Sequence, residues 1–140
     1  DSSGRVCAQS KRRGNVWKEY TQHHDISPAP AVYSRVFETD DLLFIAGATG
    51  GREAEHGSLP DQLRETLGRI EAILEVEGQS MNDVAKLTTF VTDVKEWAEN
   101  LAANNAVFEE MFDGNYPTNT LIGCAAPIRQ TLKIEPTCLF

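Results

Sequence analysis

Few residues in this chain have the type and spacing to do chemistry. Lys133 and Glu135 stand two apart in Leu132-Lys133-Ile134-Glu135, a stretch with strand character. Strand side chains alternate, so these two share a face. Together they can form an exposed pair worth ~0.2–1 kcal/mol. Asn104-Asn105 interrupts an apolar stripe. A buried-side asparagine must find partners or cost ~1–3 kcal/mol, so Asn105 is either a structural hydrogen-bonder or a site residue. Cys7, Cys124 and Cys138 form no CxxC, and no histidine lies close to them in sequence, so a thiol nucleophile is a minority reading against small core residues. His23-His24-Asp25 suggests a metal, but a loop pair without further ligands at site spacing is usually solvated. The segment from Thr49 to Gly57 is bounded by glycines yet lacks the GxxxxGK[ST] spacing that cradles phosphate.

These residues need a frame, and the chain supplies one from about residue 31. Val32–Glu38 and Leu42–Ala48 read as strands joined at Thr39-Asp40-Asp41, a hairpin. Ser58-Leu59-Pro60-Asp61 announces a helix: Ser58 caps, Pro60 suits the first turn, and Asp61 completes a capping box. Leu63, Leu67, Ile70 and Leu74 then recur at helical spacing, and Gly78 is the stop. Val84–Thr92 is a strand by its β-branched content. Asp93-Val94-Lys95-Glu96 predicts a second capping box, opening a helix with Trp97, Leu101, Phe108, Met111 and Phe112 on one stripe. Asp113-Gly114-Asn115 closes it, and Thr118–Ala125 and Thr131–Leu139 are the last strands. The order is β-β-α-β-α-β-β, an α+β domain. Two amphipathic helices cover one face of such a sheet, while its strands carry apolar residues on both. The uncovered face therefore predicts self-association.

Composition bounds the function. At 140 residues the chain is one domain, long enough for a real core. Residues 1–30 are polar and weakly periodic, an extension expected to be partly ordered around Val16-Trp17-Lys18-Glu19-Tyr20; the domain proper is 31–140. Net charge is −8, which opposes nucleic acid as the main partner. Lys11-Arg12-Arg13 is too short to reverse that field. No apolar run reaches the length of a membrane span. An odd cysteine count suits a reducing compartment, the cytoplasm, better than a disulfide framework.

Several pieces together, in order and spacing, resemble the YjgF/RidA family, the endoribonuclease L-PSP-like proteins, whose members hydrolyse reactive imines and enamines. They are Tyr33-Ser34-Arg35, Phe44-Ile45-Ala46-Gly47, Ile70-Glu71-Ala72 with Gly78, Val91-Thr92-Asp93, Phe108-Glu109-Glu110-Met111-Phe112, Pro117-Thr118-Asn119-Thr120 and Ile134-Glu135. The resemblance runs from about Tyr33 to Leu139. It implies a chorismate mutase-like two-layer fold, a mixed sheet with two helices on one face, in a barrel-like homotrimer with ligand clefts between subunits. It implies no metal and no organic cofactor. Carried over by position, Tyr33, the backbone at Gly47, and Asn105 would contact a small-molecule ligand. An arginine that holds substrate carboxylate in the deaminating members is replaced by Asn119. An amide cannot form a charged fork. Arg129, after Pro127, is a candidate to supply a guanidinium from the loop instead. The family's catalytic glutamate falls on Lys133 when counted from Pro127, or on Glu135 if the preceding turn is shifted by two residues. Two functions are implied: a cofactor-free deaminase on a small metabolite, or a non-catalytic trimeric module that binds a ligand at the same clefts. A ribonuclease or translation-inhibitor role, suggested by family names, is opposed by the acidic charge.

Overall fold

A computed structural model describes residues 5–8, 19–23, 34–39, 41–49, 54, 56–125 and 134–139. Its first helix, α1 (Leu59–Val76), begins as its sequence dictates. The Ser58 hydroxyl accepts from the Asp61 N–H at 3.4 Å, and the Asp61 carboxylate accepts from the Ser58 N–H at 3.3 Å. The Ser58 hydroxyl also donates to that carboxylate at 2.7 Å. This hydrogen bond, with the one from the Ser58 backbone, holds the Asp61 carboxyl below its ordinary pKa. Leu59, Leu63, Leu67, Ile70, Ile73 and Leu74 are all buried, each contributing roughly 1.5–3 kcal/mol of transfer free energy. The chain leaves the helix at Gly78, whose φ of +76° favours glycine.

The second helical region departs from expectation. It is two helices, α2 (Val94–Glu99) and α3 (Leu101–Phe112), separated at Asn100. Asp93 caps α2, its carboxylate accepting from the Lys95 and Glu96 N–H groups. The break at Asn100 re-phases the apolar stripe of α3. Leu101, expected in that stripe, is 50% exposed. Trp97, Phe108 and Phe112 keep their places, with Trp97 edge-on to Phe108 and Phe108 stacked on Phe112. The buried asparagine is Asn104, not Asn105, which is exposed. Asn104 bridges the break by donating Nδ2–H to the Trp97 carbonyl at 3.2 Å.

The described strands join one seven-stranded sheet in the order β1-β2-β3-β4-β7-β5-β6, with ranges Arg5–Ala8, Glu19–His23, Val36–Glu38, Leu43–Ile45, Ile134–Leu139, Lys86–Val91 and Thr118–Gly123 respectively. Neighbours are antiparallel except β5 and β6, which run parallel and are joined through α2 and α3. β1 and β2 arise within the polar first 30 residues; β2 pairs with β3 and β1 with β2, extending the sheet beyond the strands read from sequence. β3 and β4 form the expected hairpin, but both are shorter than expected, because β4 stops at Ile45. Within the described residues β4 pairs with Cys138 and Leu139 of β7 and no further along it. At Pro136 that side of β7 is therefore without a described strand partner, a position that tolerates a residue without an N–H.

One face of the sheet, carrying Val36, Leu43, Ile45, Leu87, Thr89 and Val91, is buried with the helices' apolar residues. The residues between these on β3, β4 and β5 lie on the other face. Phe37 and Phe44 meet there edge to face across β3 and β4. Phe44 remains 41% exposed, and Ile122 of β6 40%. The architecture is a two-layer α+β domain with one uncovered apolar sheet face. Among the described residues no helix is long and apolar enough to cross a membrane.

Candidate functional site

The cross-strand register sets the positions of the candidate residues. Val36, Ile45, Cys138, Leu87 and Asn119 fall in one row across β3, β4, β7, β5 and β6. The row is buried at Val36, Ile45 and Leu87 and ends exposed at Asn119, on the edge strand. Asn119 does not simply project into solvent. Its Oδ1 accepts a hydrogen bond from the Thr89 hydroxyl at 2.8 Å. Thr89 is only 1% exposed, and a buried hydroxyl left unpaired costs about 1–3 kcal/mol. The register explains the pairing: Thr89 lies opposite Leu121, diagonal to Asn119 on the same face. Among the described residues this contact, made by the amide oxygen, is the hydrogen bond of the Asn119 side chain.

Gly47 lies just past the end of β4, where the backbone leaves the ladder for two guanidinium groups. Arg35, 2% exposed, donates to the Gly47 carbonyl at 2.6 Å. Arg69, reaching from α1, donates to the Thr49 carbonyl at 3.0 Å. The Ala46 N–H returns to the Arg35 carbonyl at 3.0 Å. The end of β4 is thus tied to both layers of the domain. Glu65 supports Arg69 one helical turn away at 3.8 Å.

The remaining candidates disperse. Asn105 is exposed on α3. Glu135 is opposite Phe90 in the β5–β7 register, the parity opposite to that of the Asn119 row. Tyr33, Arg129 and Lys133 lie outside the described residues. β4 and β6 are separated by β7 and β5, so Ile45 and Asn119 stand three strand spacings apart, roughly 14 Å. One chain therefore does not gather Gly47 and Asn119 around one small ligand. The sequence did not single out Thr89, Arg35 or Arg69. Arg35, an ionisable residue opening a strand, carried a signal; Thr89 looked like any β-branched strand residue.

Two other features bound the chemistry. Among the described residues no group of three or more histidines, cysteines or carboxylates could hold a metal. A separate cleft of about 280 Å³ is lined by Glu38, Asp41, Glu77 and Asp83, with Thr39, Leu42, Leu43 and Gln79, and holds none of the candidate residues. Its carboxylates disfavour an anionic ligand there.

Comparison with known proteins places this geometry. The profile of the endoribonuclease L-PSP family matches residues 22–139. A RutC family protein from Pyrococcus horikoshii is 35% identical over 96 residues, covering 64% of this chain and 71% of that protein. A 2-iminobutanoate/2-iminopropanoate deaminase from Dermatophagoides farinae is 24% identical over 116 residues, covering 79% and 88%. Among solved structures, a Mycobacterium tuberculosis member of the YjgF/YER057c/UK114 family aligns with a TM-score of 0.65 and 28% identity, covering 76% and 84%.

Proposed function

The chain belongs to the endoribonuclease L-PSP family, also called YjgF/RidA, and on that footing we propose that it is a cofactor-free hydrolase of small imines or enamines. The reaction adds water to the imine carbon and releases ammonia, leaving a carbonyl. Glu135 is the proposed base that takes the proton from the attacking water, with Lys133 the alternative lining residue. Tyr33, the Gly47 backbone, Asn105, Asn119 and Arg129 are proposed to hold the ligand. The relative named as a 2-iminobutanoate/2-iminopropanoate deaminase supports the reaction class.

The observation that carries the reading is the strand order. Gly47 follows β4 and Asn119 belongs to β6, three strand spacings away, too far apart to contact one small ligand from a single chain. They can converge if a second copy brings its own set to the sheet edge. The uncovered face, with Phe44 and Ile122 exposed, supplies apolar surface for that contact. A homotrimer of chorismate mutase-like domains with clefts between subunits satisfies both requirements, and is the proposed assembly. A reducing, cytoplasmic setting is proposed with it.

A second reading, a non-catalytic ligand-binding module, is favoured by one observation: Asn119 is neutral and tied to Thr89. An assay decides between them. 2-Iminobutanoate and its neutral amide analogue are generated in situ, and ammonia release is followed with and without protein. Acceleration of either substrate, lost in Glu135→Gln, supports hydrolysis. No acceleration of either leaves the binding module. Direct cleavage of RNA would overturn both, and the net charge of −8 opposes it.

A further inference from the structure

We infer that Asn119 selects ligands carrying a neutral hydrogen-bond acceptor, such as an amide or ester carbonyl, and discriminates against carboxylates. The inference rests on the proposal that β6 lines the ligand cleft. It narrows that proposal to a class of substrate.

The Thr89 hydroxyl is almost wholly buried and is donated to Asn119 Oδ1 at 2.8 Å. That contact engages the amide oxygen and fixes the plane of the amide. What Asn119 then presents at the exposed sheet edge is chiefly the Nδ2 group, two donors, with one lone pair of its oxygen already taken. A neutral donor group pairs with an acceptor. It gives a carboxylate no opposite charge to offset the cost of stripping its water, a cost far smaller for a neutral carbonyl. The described β6 neighbours add nothing to offset this. The neighbouring β6 residues on either side are Thr118 and Thr120, both exposed and uncharged. Lys86, opposite Thr118, belongs to the other parity of the register. The whole chain carries −8, so an anion approaches against the mean field. Thr89 is the positioning residue in this scheme: it orients the amide and does not touch the ligand.

The test uses stable ketones, so that it does not depend on catalysis. The full chain is titrated with 2-oxopropanamide and with 2-oxopropanoate, which differ only in a neutral amide against a carboxylate, and binding is followed by calorimetry. The amide is expected to bind at least tenfold more tightly. Asn119→Arg is expected to reverse the order. Asn119→Asp, which replaces donors by acceptors, is expected to lose the amide by tenfold or more. Thr89→Val leaves the ligand-facing group in place but frees it to rotate, so the preference should shrink while the fold is unchanged by circular dichroism. That variant keeps the test open if the Asn119 variants do not fold. Equal or tighter binding of 2-oxopropanoate by the unaltered chain overturns the inference. So does accelerated imine hydrolysis with no preference for the neutral substrate. Amide binding without any hydrolysis would refute the hydrolase reading while supporting this one, so the two fail separately.

Discussion

The Thr89–Asn119 contact makes a quantitative prediction about stability that does not depend on any ligand. Asn119→Ala removes the acceptor and leaves a hydroxyl in a site 1% exposed, which should cost ~1–3 kcal/mol. Thr89→Val removes the donor together with its need for a partner. The asparagine oxygen is then left to water, so the cost should stay below ~1 kcal/mol. Once Thr89 is valine, Asn119→Ala has nothing left to orphan, and the double variant should be about as stable as Thr89→Val alone. The coupling is therefore expected to equal the cost of Asn119→Ala, ~1–3 kcal/mol. In melting temperature, each ~1 kcal/mol is about 3–5 °C for a domain of this size. Urea unfolding of the four proteins measures the cycle. Chain concentration must be held constant, since an assembling protein gains stability by mass action. Additivity within ~0.5 kcal/mol would show that the hydroxyl and the amide do not depend on each other. The buried hydroxyl would then not be the reason this edge position holds an asparagine.

Three further outcomes are expected. Asp61 has a folded-state pKa below its unfolded value, chiefly through the Ser58 hydroxyl. Its contribution is present above the unfolded pKa and is lost as pH falls through the folded one, so the melting difference between the unaltered chain and Asp61→Asn should be largest near neutrality and close in acid; a pH-independent difference refutes the linkage. Asn104→Asp replaces the donor to the Trp97 carbonyl with a carboxyl in a site 0% exposed, so it should destabilise by ~3 kcal/mol or more at about pH 8 and by less at about pH 4, where the acid is neutral, as read by chemical denaturation. Arg35→Met leaves the Gly47 carbonyl without its guanidinium and should cost ~1.5–3 kcal/mol, with the largest amide chemical-shift changes at residues 46–49; shifts spread evenly through the sheet would argue against a local tether.

The helices show where sequence sufficed and where it did not. α1 was legible from end to end because cap, proline, apolar period and terminal glycine are all local signals. The break at Asn100 was not. Asn100 is a residue that favours caps, but a lone asparagine does not by itself end a helix, and the apolar spacing across it was compatible with one continuous helix until packing turned Leu101 outward. That re-phasing also moved the buried asparagine from Asn105 to Asn104. β1 and β2 escaped notice because they are short, lie in a largely polar stretch, and depend on pairing with each other and, through β2, with β3. At the candidate site, Asn119 was visible as a residue type, but its oxygen's engagement depends on the parallel β5–β6 register, between residues thirty apart. The separation of Gly47 from Asn119 depends on β7 and β5 lying between β4 and β6, a fact of topology that chain order conceals.

The position of β6 has a consequence for the order in which the molecule comes apart. Among the described residues this strand is hydrogen-bonded on one side, to β5, and the chain reaches it only after passing through α2 and α3. A parallel pairing closed across so long a crossover forms late in folding, and a strand held on one side opens early. The residue that presents the amide thus sits in a strand at one end of the sheet order, with little local protection. Amide hydrogens of β6 should exchange well before those of β5, and anything that docks on the edge must contribute the free energy of ordering it. Occupancy would then be reported by slowed exchange along Thr118–Gly123, while the core rows beneath stay as they were.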